Sequence, residues 1–276
     1  MWLLKSIIVS TLLIHKSSAA ERPDIYLTNI KFIVGIFENN PEITDRDVYL
    51  HQGVLIHRQL VLTSSDNFYK NIELKVRAYN WPSRIRLYND QKTSPSNYEE
   101  RRVDTIEYND DETSRILILV LIQPFENINN IVNDDFTPEN FYHTDSNKKC
   151  VFIKLKFTEN RCTKFACDSK VRVKQRKIKP NTQLSSYKCD LDIIRKIFKV
   201  NRINDNNFYC AHQTGRFKCH NYPGAALACE STQRGQYFLA GINTANNNCN
   251  FIFENTQRLN DWVNKILKDI MFEIGY

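Results

Sequence analysis

The chain has 276 residues and a mass of 32.5 kDa, room for one large domain or two small ones. Hydrophobic residues at 42% and charged residues at 25% exclude wholesale disorder, and a net charge of +7 is too mild to argue for nucleic acid. Only 7 glycines stand against 30 asparagines, so a fold that normally turns on glycine would have lost most of them.

Residues 1–20 (MWLLKSIIVSTLLIHKSSAA) have the layout of a secretory signal. Lys5 supplies positive charge, Ile7 to Ile14 an apolar stretch, and Ser18-Ala19-Ala20 a small-residue cleavage site. His15 and Lys16 cut the apolar stretch well short of a bilayer, so no membrane span is expected and a mature, exported domain of residues 21–276 is. Short β-prone runs then follow, punctuated by Gly, Pro and Asn: residues 31–37, 53–63, 72–78, 84–88, 115–122, 151–157, 171–178, 225–228 and 237–242. The polar stretch 88–114 reads as loop with one strand around 103–108. Two helices interrupt this pattern. One is short, around residues 191–198. The other carries Leu259, Trp262, Val263, Ile266, Leu267 and Ile270 as a single apolar stripe, with Asn255 or Thr256 as its cap. Many short strands and two helices predict an all-β barrel or sandwich.

Eight cysteines lie between positions 150 and 249: Cys150, Cys162, Cys167, Cys189, Cys210, Cys219, Cys229 and Cys249. An even count in an exported chain predicts disulfides, whose pairing the spacing leaves open. No C-x2-C pair exists and the histidines do not bracket the cysteines at zinc-ligand spacing, so no metal and no cofactor are expected. Charge is uneven. Residues 99–139 hold 11 acidic and 3 basic side chains; residues 148–202 hold 17 basic and 4 acidic ones. Within the basic block Lys170, Arg172, Lys174 and Arg176 alternate on one face of a predicted strand, with Lys177 beside them. Such a stripe could attract sulfated glycans, phospholipid head groups or an acidic protein, or it could be a solvated face offset by the acidic segment. No N-x-S/T sequon occurs, so attached N-glycans are not expected.

The stretch from Cys210 to Cys249 contains Cys219-His220-Asn221-Tyr222-Pro223-Gly224-Ala225-Ala226-Leu227, then Ala228-Cys229, then Gly241-Ile242-Asn243-Thr244-Ala245-Asn246. It resembles the C-terminal half of chymotrypsin/trypsin-like serine proteases, where C-x-G-D-S-G-G-P-L precedes x-C and a G-I-x-S-W-G strand. Upstream, Gly53-Val54-Leu55-Ile56 stands in place of G-S-L-I, residues 61–67 (VLTSSDN) look like V-L-T-A-A-H-C, and residues 114–119 (SRILIL) look like N-D-I-A-L-L. Asp261-Trp262-Val263 matches the family's closing D-W-I helix. The likeness spans roughly residues 30–270. It implies two packed six-stranded antiparallel barrels, with the C-terminal helix crossing back over the first. It also implies the pairs Cys150–Cys229, Cys189–Cys210 and Cys219–Cys249, which leaves Cys162 with Cys167. The family's N-terminal bridge is missing, with Gln52 near its first cysteine and Asn67 at its second.

The family's chemistry needs a hydroxyl nucleophile, an imidazole base, a carboxylate that orients the base, and two backbone N–H groups for the oxyanion. On this alignment the imidazole position holds Asp66, the carboxylate position Arg115 and the nucleophile position Pro223. Proline also lacks the amide hydrogen of one oxyanion donor, and Asn221 replaces the glycine of the other. Tyr222 stands where activation requires Asp. Phe217 replaces the acid at the base of the specificity pocket, and Ala245 and Asn246 replace the W-G at its entrance. His57 and His220 are spare imidazoles, better read as ordinary turn and rim residues. The resemblance thus implies a secreted, non-catalytic serine protease homologue of the arthropod type without a clip module. It would bind another secreted protein, a protease or its substrate, as cofactor, decoy or regulator in immunity or reproductive fluid. The competing expectations are a polyanion-binding protein that uses the basic block, and an active serine endopeptidase with relocated residues.

Overall fold

Polar pairs, more than glycines, divide the chain into strands. The apolar run 53–63 is broken at Arg58-Gln59, so it forms two strands joined by a tight turn, with His57 opposite Leu60. The computed structural model describes residues 32–39, 48–66, 72–79, 98–111, 113–127, 150–158, 170–177, 190–200, 207–212, 222–230, 237–247 and 250–274. The expected strand at 84–88 and the leader at 1–20 lie outside these residues.

Six strands make a closed antiparallel barrel: β1 (Ile33–Glu38), β2 (Val48–His57), β3 (Leu60–Ser64), β4 (Leu74–Tyr79), β5 (Tyr98–Tyr108) and β6 (Ile116–Leu121), in the order β1-β2-β3-β6-β5-β4. β3 is buried along its whole length, and β1 and β6 nearly so, which explains why their sequences (IVGIFE, LVLTS, ILILVL) are almost continuously apolar. β5 is the opposite case. It is half or fully exposed throughout, begins five residues before the expected 103–108 segment, and carries Glu99, Glu100, Asp104 and Glu107. One cation is buried in this barrel. Arg77 donates to Glu100 at 2.6 Å while its guanidinium lies 4.5 Å from the Phe37 ring and 4.6 Å from that of Tyr98.

The remaining strands are β7 (Cys150–Thr158), β8 (Lys170–Lys177), β9 (Phe208–His212), β10 (Ala226–Glu230), β11 (Tyr237–Asn247) and β12 (Asn250–Asn255). They form a six-stranded sheet in the order β8-β7-β10-β11-β12-β9. Renumbered from its own first strand, this sheet repeats the order of the barrel with a single adjacency, β8 to β9, not made among the described residues. Among the described residues the structure therefore contains one closed barrel and one six-stranded sheet of the same winding, so one of the two expected barrels is shown. Cys150 and Cys229 face each other across β7 and β10 and are joined by a disulfide. Cys210 is also disulfide-bonded, to a cysteine outside the described residues. Cys162, Cys167, Cys189, Cys219 and Cys249 lie outside them as well.

Where its side chains are described, the second sheet packs against a core on each face. Ile153, Leu155, Ala226, Ala228 and Ile242 join the core of the barrel, while Phe152, Leu227, Ala240, Phe251 and Phe253 build a second core on the far side. Helix α1 (Leu191–Phe198) covers a third cluster through Ile194 and Phe198, packed with Phe208, Ala245 and Ile252. Its length follows from its ends. The Asp190 carboxylate accepts from the N–H groups of Asp192 and Ile193, and Lys199 closes the helix in the left-handed region at φ 56°. A 3-10 turn (Thr256–Leu259), capped by Asn255 Oδ1 accepting from Gln257 N, leads into α2 (Asn260–Ile274). The expected stripe is the buried one: Leu259, Val263, Ile266 and Ile270 enter the core of the barrel, with Trp262 and Leu267 against it. Each buried aliphatic side chain contributes about 1.5–3 kcal/mol. Among the described residues no helix is long and apolar enough to cross a membrane.

Candidate functional site

The barrel and the second sheet meet along a seam of polar residues. At its centre is Gln52 of β2, which is buried. Its Nε2 donates to Ile153 O at 3.1 Å, and its Oε1 accepts from Leu155 N at 2.8 Å. Both partners are backbone groups of β7, so one amide ties the two sheets together. The Gln52 carbonyl meanwhile accepts from Thr63 Oγ1 at 2.8 Å. Against this carbonyl sits the turn that enters β10. Ala225 N donates to Tyr222 O and Gly224 N to Asn243 O, with Gly224 at φ 76°. A Cβ at Gly224 would lie 1.8 Å from Gln52 O and 2.6 Å from Thr63 Oγ1, so only glycine lets the turn nest here.

Asp66 lies three residues beyond Thr63, just past the end of β3. Asp66 in turn meets Arg115, whose Nη1 is 3.8 Å from its Oδ1. Arg115 also donates to Ile197 O of α1 and lies 4.7 Å from the Phe198 ring centroid. Both partners of this ion pair are 29% exposed, so its worth is small, roughly 0–1 kcal/mol. Its chemical meaning is larger: the two positions carry charges that satisfy each other.

Beneath Arg115 the fully buried carboxylate of Glu254 accepts from Arg115 N and Ser114 Oγ, each at 2.8 Å, and from Arg258 Nη2 at 2.8 Å. Arg258 continues to Asp111 at 3.0 Å. Burial pushes the Glu254 carboxyl up despite opposition from Arg258, Arg115 N–H and Ser114. Asp111 shifts the other way: burial raises it, but the Thr113 hydrogen bonds and Arg258 prevail and hold it low. On β11, a bulge at Asn243–Ala245 buries Asn243 and Thr244. Asn243 Nδ2 donates to Ala245 O and Ile252 O, whereas Asn243 Oδ1 and Thr244 Oγ1 have no hydrogen-bond partner among the described residues.

One residue of the seam is absent from the sequence expectations. His51, next to Gln52, is 2% exposed. Burial drives its pKa down from 6.5 to about 4, only partly opposed by the Asp66 charge. Between those two values the unfolded chain binds the proton and the native chain does not, so stability falls as pH drops through that window. The loss should total about 3 kcal/mol. Urea unfolding measured from pH 7 to pH 4 should therefore show His51→Phe with a flatter stability profile than the parent. Parallel profiles would refute the assignment.

The other expected site residues are placed as follows. Tyr222 is half-buried, its ring 6.0 Å from Phe152, and Ala245 is buried beside α1. Asn246 is half-buried opposite Phe251 on β12. His57 Nδ1 accepts from Gln59 N at 3.3 Å within the hairpin turn. Phe217, His220, Asn221 and Asn67 lie outside the described residues. Lys170, Arg172, Lys174, Arg176 and Lys177 form β8, which pairs with β7 over its whole length. Among the described residues no group of His, Cys, Asp and Glu could hold a metal ion. No protein-family model matches the chain, and no curated protein matches it.

Proposed function

We propose that the chain is a secreted, catalytically inactive homologue of trypsin-like serine proteases that acts by binding another protein. The observation that carries this proposal is the Asp66–Arg115 ion pair, in contact across the positions where the resemblance puts imidazole and carboxylate. Pro223, at the position the resemblance gives to the nucleophile, stands in the turn that Gly224 seats against Gln52 and Thr63. The strand order β1-β2-β3-β6-β5-β4 of the closed barrel is compatible with that fold, and on this proposal the second sheet closes through β8 and β9. His51 offers no substitute base. An imidazole with a pKa of about 4 is too weak to take a seryl proton at neutral pH. Without nucleophile, base, orienting carboxylate and one of the two oxyanion donors, the template loses at least ~10⁶-fold in rate.

A retained scaffold with such a site leaves recognition to surface loops. The partner class is a secreted protease or its substrate, in immunity or reproductive fluid. The test is direct. Purified mature protein should not be labelled by a fluorophosphonate probe under conditions that label trypsin fully. Stoichiometric labelling would overturn the proposal.

A further inference from the structure

β5 ends on a tyrosine with carboxylates on either side. Within five residues of Tyr108 the chain carries Asp104, Glu107, Asp110, Asp111 and Glu112, and no Lys, Arg or His. The strand pairing leaves this end open. β4 pairs with β5 only as far as Arg102, so among the described residues 103–108 are paired with β6 alone. Tyr108 shares its face with Ile106, which packs against the core of the barrel, but it stands one step beyond that cover and is 54% exposed. Directly after it the chain turns: Asn109 Oδ1 accepts from Asp111 N at 2.9 Å, and Asp111 Oδ1 from Thr113 N at 2.8 Å. Arg258 engages Asp111, whereas Asp104, Glu107 and Asp110 form no ion pair among the described residues.

Tyr98, at the other end of the strand, is equally exposed at 52%, and it sets the contrast. Its ring lies 6.0 Å from that of Tyr79 and 4.6 Å from the Arg77 guanidinium. Its acidic neighbours are engaged, Glu99 with Arg101 and Glu100 with Lys75 and Arg77. Tyr108 makes no side-chain hydrogen bond and no ring contact among the described residues. We propose that Tyr108 is a site of tyrosine O-sulfation, with phosphoadenosine phosphosulfate as the sulfuryl donor. In the transfer a bond from Tyr108 Oη to sulfur replaces the bond from sulfur to the phosphate oxygen. The phenolic proton passes to a base of the transferase, adenosine bisphosphate leaves, and nothing is oxidised or reduced. A transferase that holds so polyanionic a donor needs a cationic cleft, and a phenol flanked by carboxylates is drawn to it. The ester adds a fixed negative charge to an end of the barrel that is already acidic. This inference rests on the secreted reading proposed above, because sulfuryl transfer to tyrosine belongs to the secretory pathway.

The test incubates the purified full-length chain with a tyrosylprotein sulfotransferase and radiolabelled phosphoadenosine phosphosulfate. It needs no export, so a negative result refutes this site and not secretion. Export is read separately, by recovery of the chain from the medium of expressing cells. The chain should accept a single sulfate, mapped to Tyr108 by fragmentation of the labelled peptide. Y108F should abolish incorporation, and Y98F should leave it unchanged. Neutralising three carboxylates together (D104N, E107Q and D110N) should slow incorporation about tenfold or more. Each substitution keeps the shape of its side chain, so melting temperatures should stay close to that of the parent. This separates a lost acceptor from a lost fold. No incorporation, incorporation that survives Y108F, or a label mapped to Tyr98 would overturn the proposal. So would an undiminished rate in the triple variant.

Discussion

Gly224→Ala is expected to lower the free energy of unfolding by about 3–5 kcal/mol, among the largest losses a single added methyl can cause here. The left-handed backbone at φ 76° accounts for about 1–2 kcal/mol of it in any residue with a Cβ. The rest comes from the approach of 1.8 Å to the Gln52 carbonyl. That carbonyl cannot retreat cheaply. β2 is held by β1 on one side and β3 on the other, and the Gln52 side chain is anchored to β7. Asparagine tolerates the left-handed region better than alanine, so Gly224→Asn separates the two causes. If the clash dominates, both variants should lose similar stability in urea unfolding. A loss below about 1 kcal/mol for Gly224→Ala would mean that the turn is not seated as described.

Glu254→Ala should cost a comparable amount, about 3–5 kcal/mol, because it strands a guanidinium rather than because the pair itself is strongly stabilising. Arg258, 14% exposed, would lose its buried partner, and Arg115 N–H and Ser114 Oγ would lose their acceptor. A double-mutant cycle isolates this cause. Adding Arg258→Met to Glu254→Ala removes the uncompensated charge, so the double variant should be more stable than the sum of the single losses predicts, by at least about 1 kcal/mol. Additive losses would show that the ion pair is incidental. The raised carboxyl sets the sign of the pH dependence. Between its unfolded and folded pKa the native state holds the extra proton, so this group's contribution declines as pH rises through that interval. His51 works in the opposite direction, and the two should partly offset each other in mildly acidic solution.

Local patterns were legible in the sequence; long-range polar contacts were not. The short helix could be bounded at 191–198 because its apolar residues are periodic and its cap, Asp190, is adjacent. The C-terminal stripe was readable for the same reason. β9 and β12 were missed. Their apolar cores, FYCAH and NFIFEN, are short and set among asparagines, which favour turns, and β11 runs on through N-T-A-N-N only because β12 supplies its ladder. Glu254 gave no warning of burial, since its partners Ser114 and Arg115 are 140 and 139 residues away. The contact of Asp66 with Arg115 joins two segments far apart in the chain, and the grip of Gln52 on a neighbouring sheet had no local signal either. His51 had one sequence signal, an imidazole at the edge of an apolar run, and desolvation is what makes it consequential.

The grip of Gln52 bears on how the protein can move. Shear between the barrel and the second sheet must break two hydrogen bonds at once and leave a buried carboxamide unsolvated, so slow rigid-body opening between them is disfavoured. The Leu155 amide proton should exchange with solvent only in rare, large-scale openings. At this seam the barrel and the sheet should therefore move together rather than slide past each other.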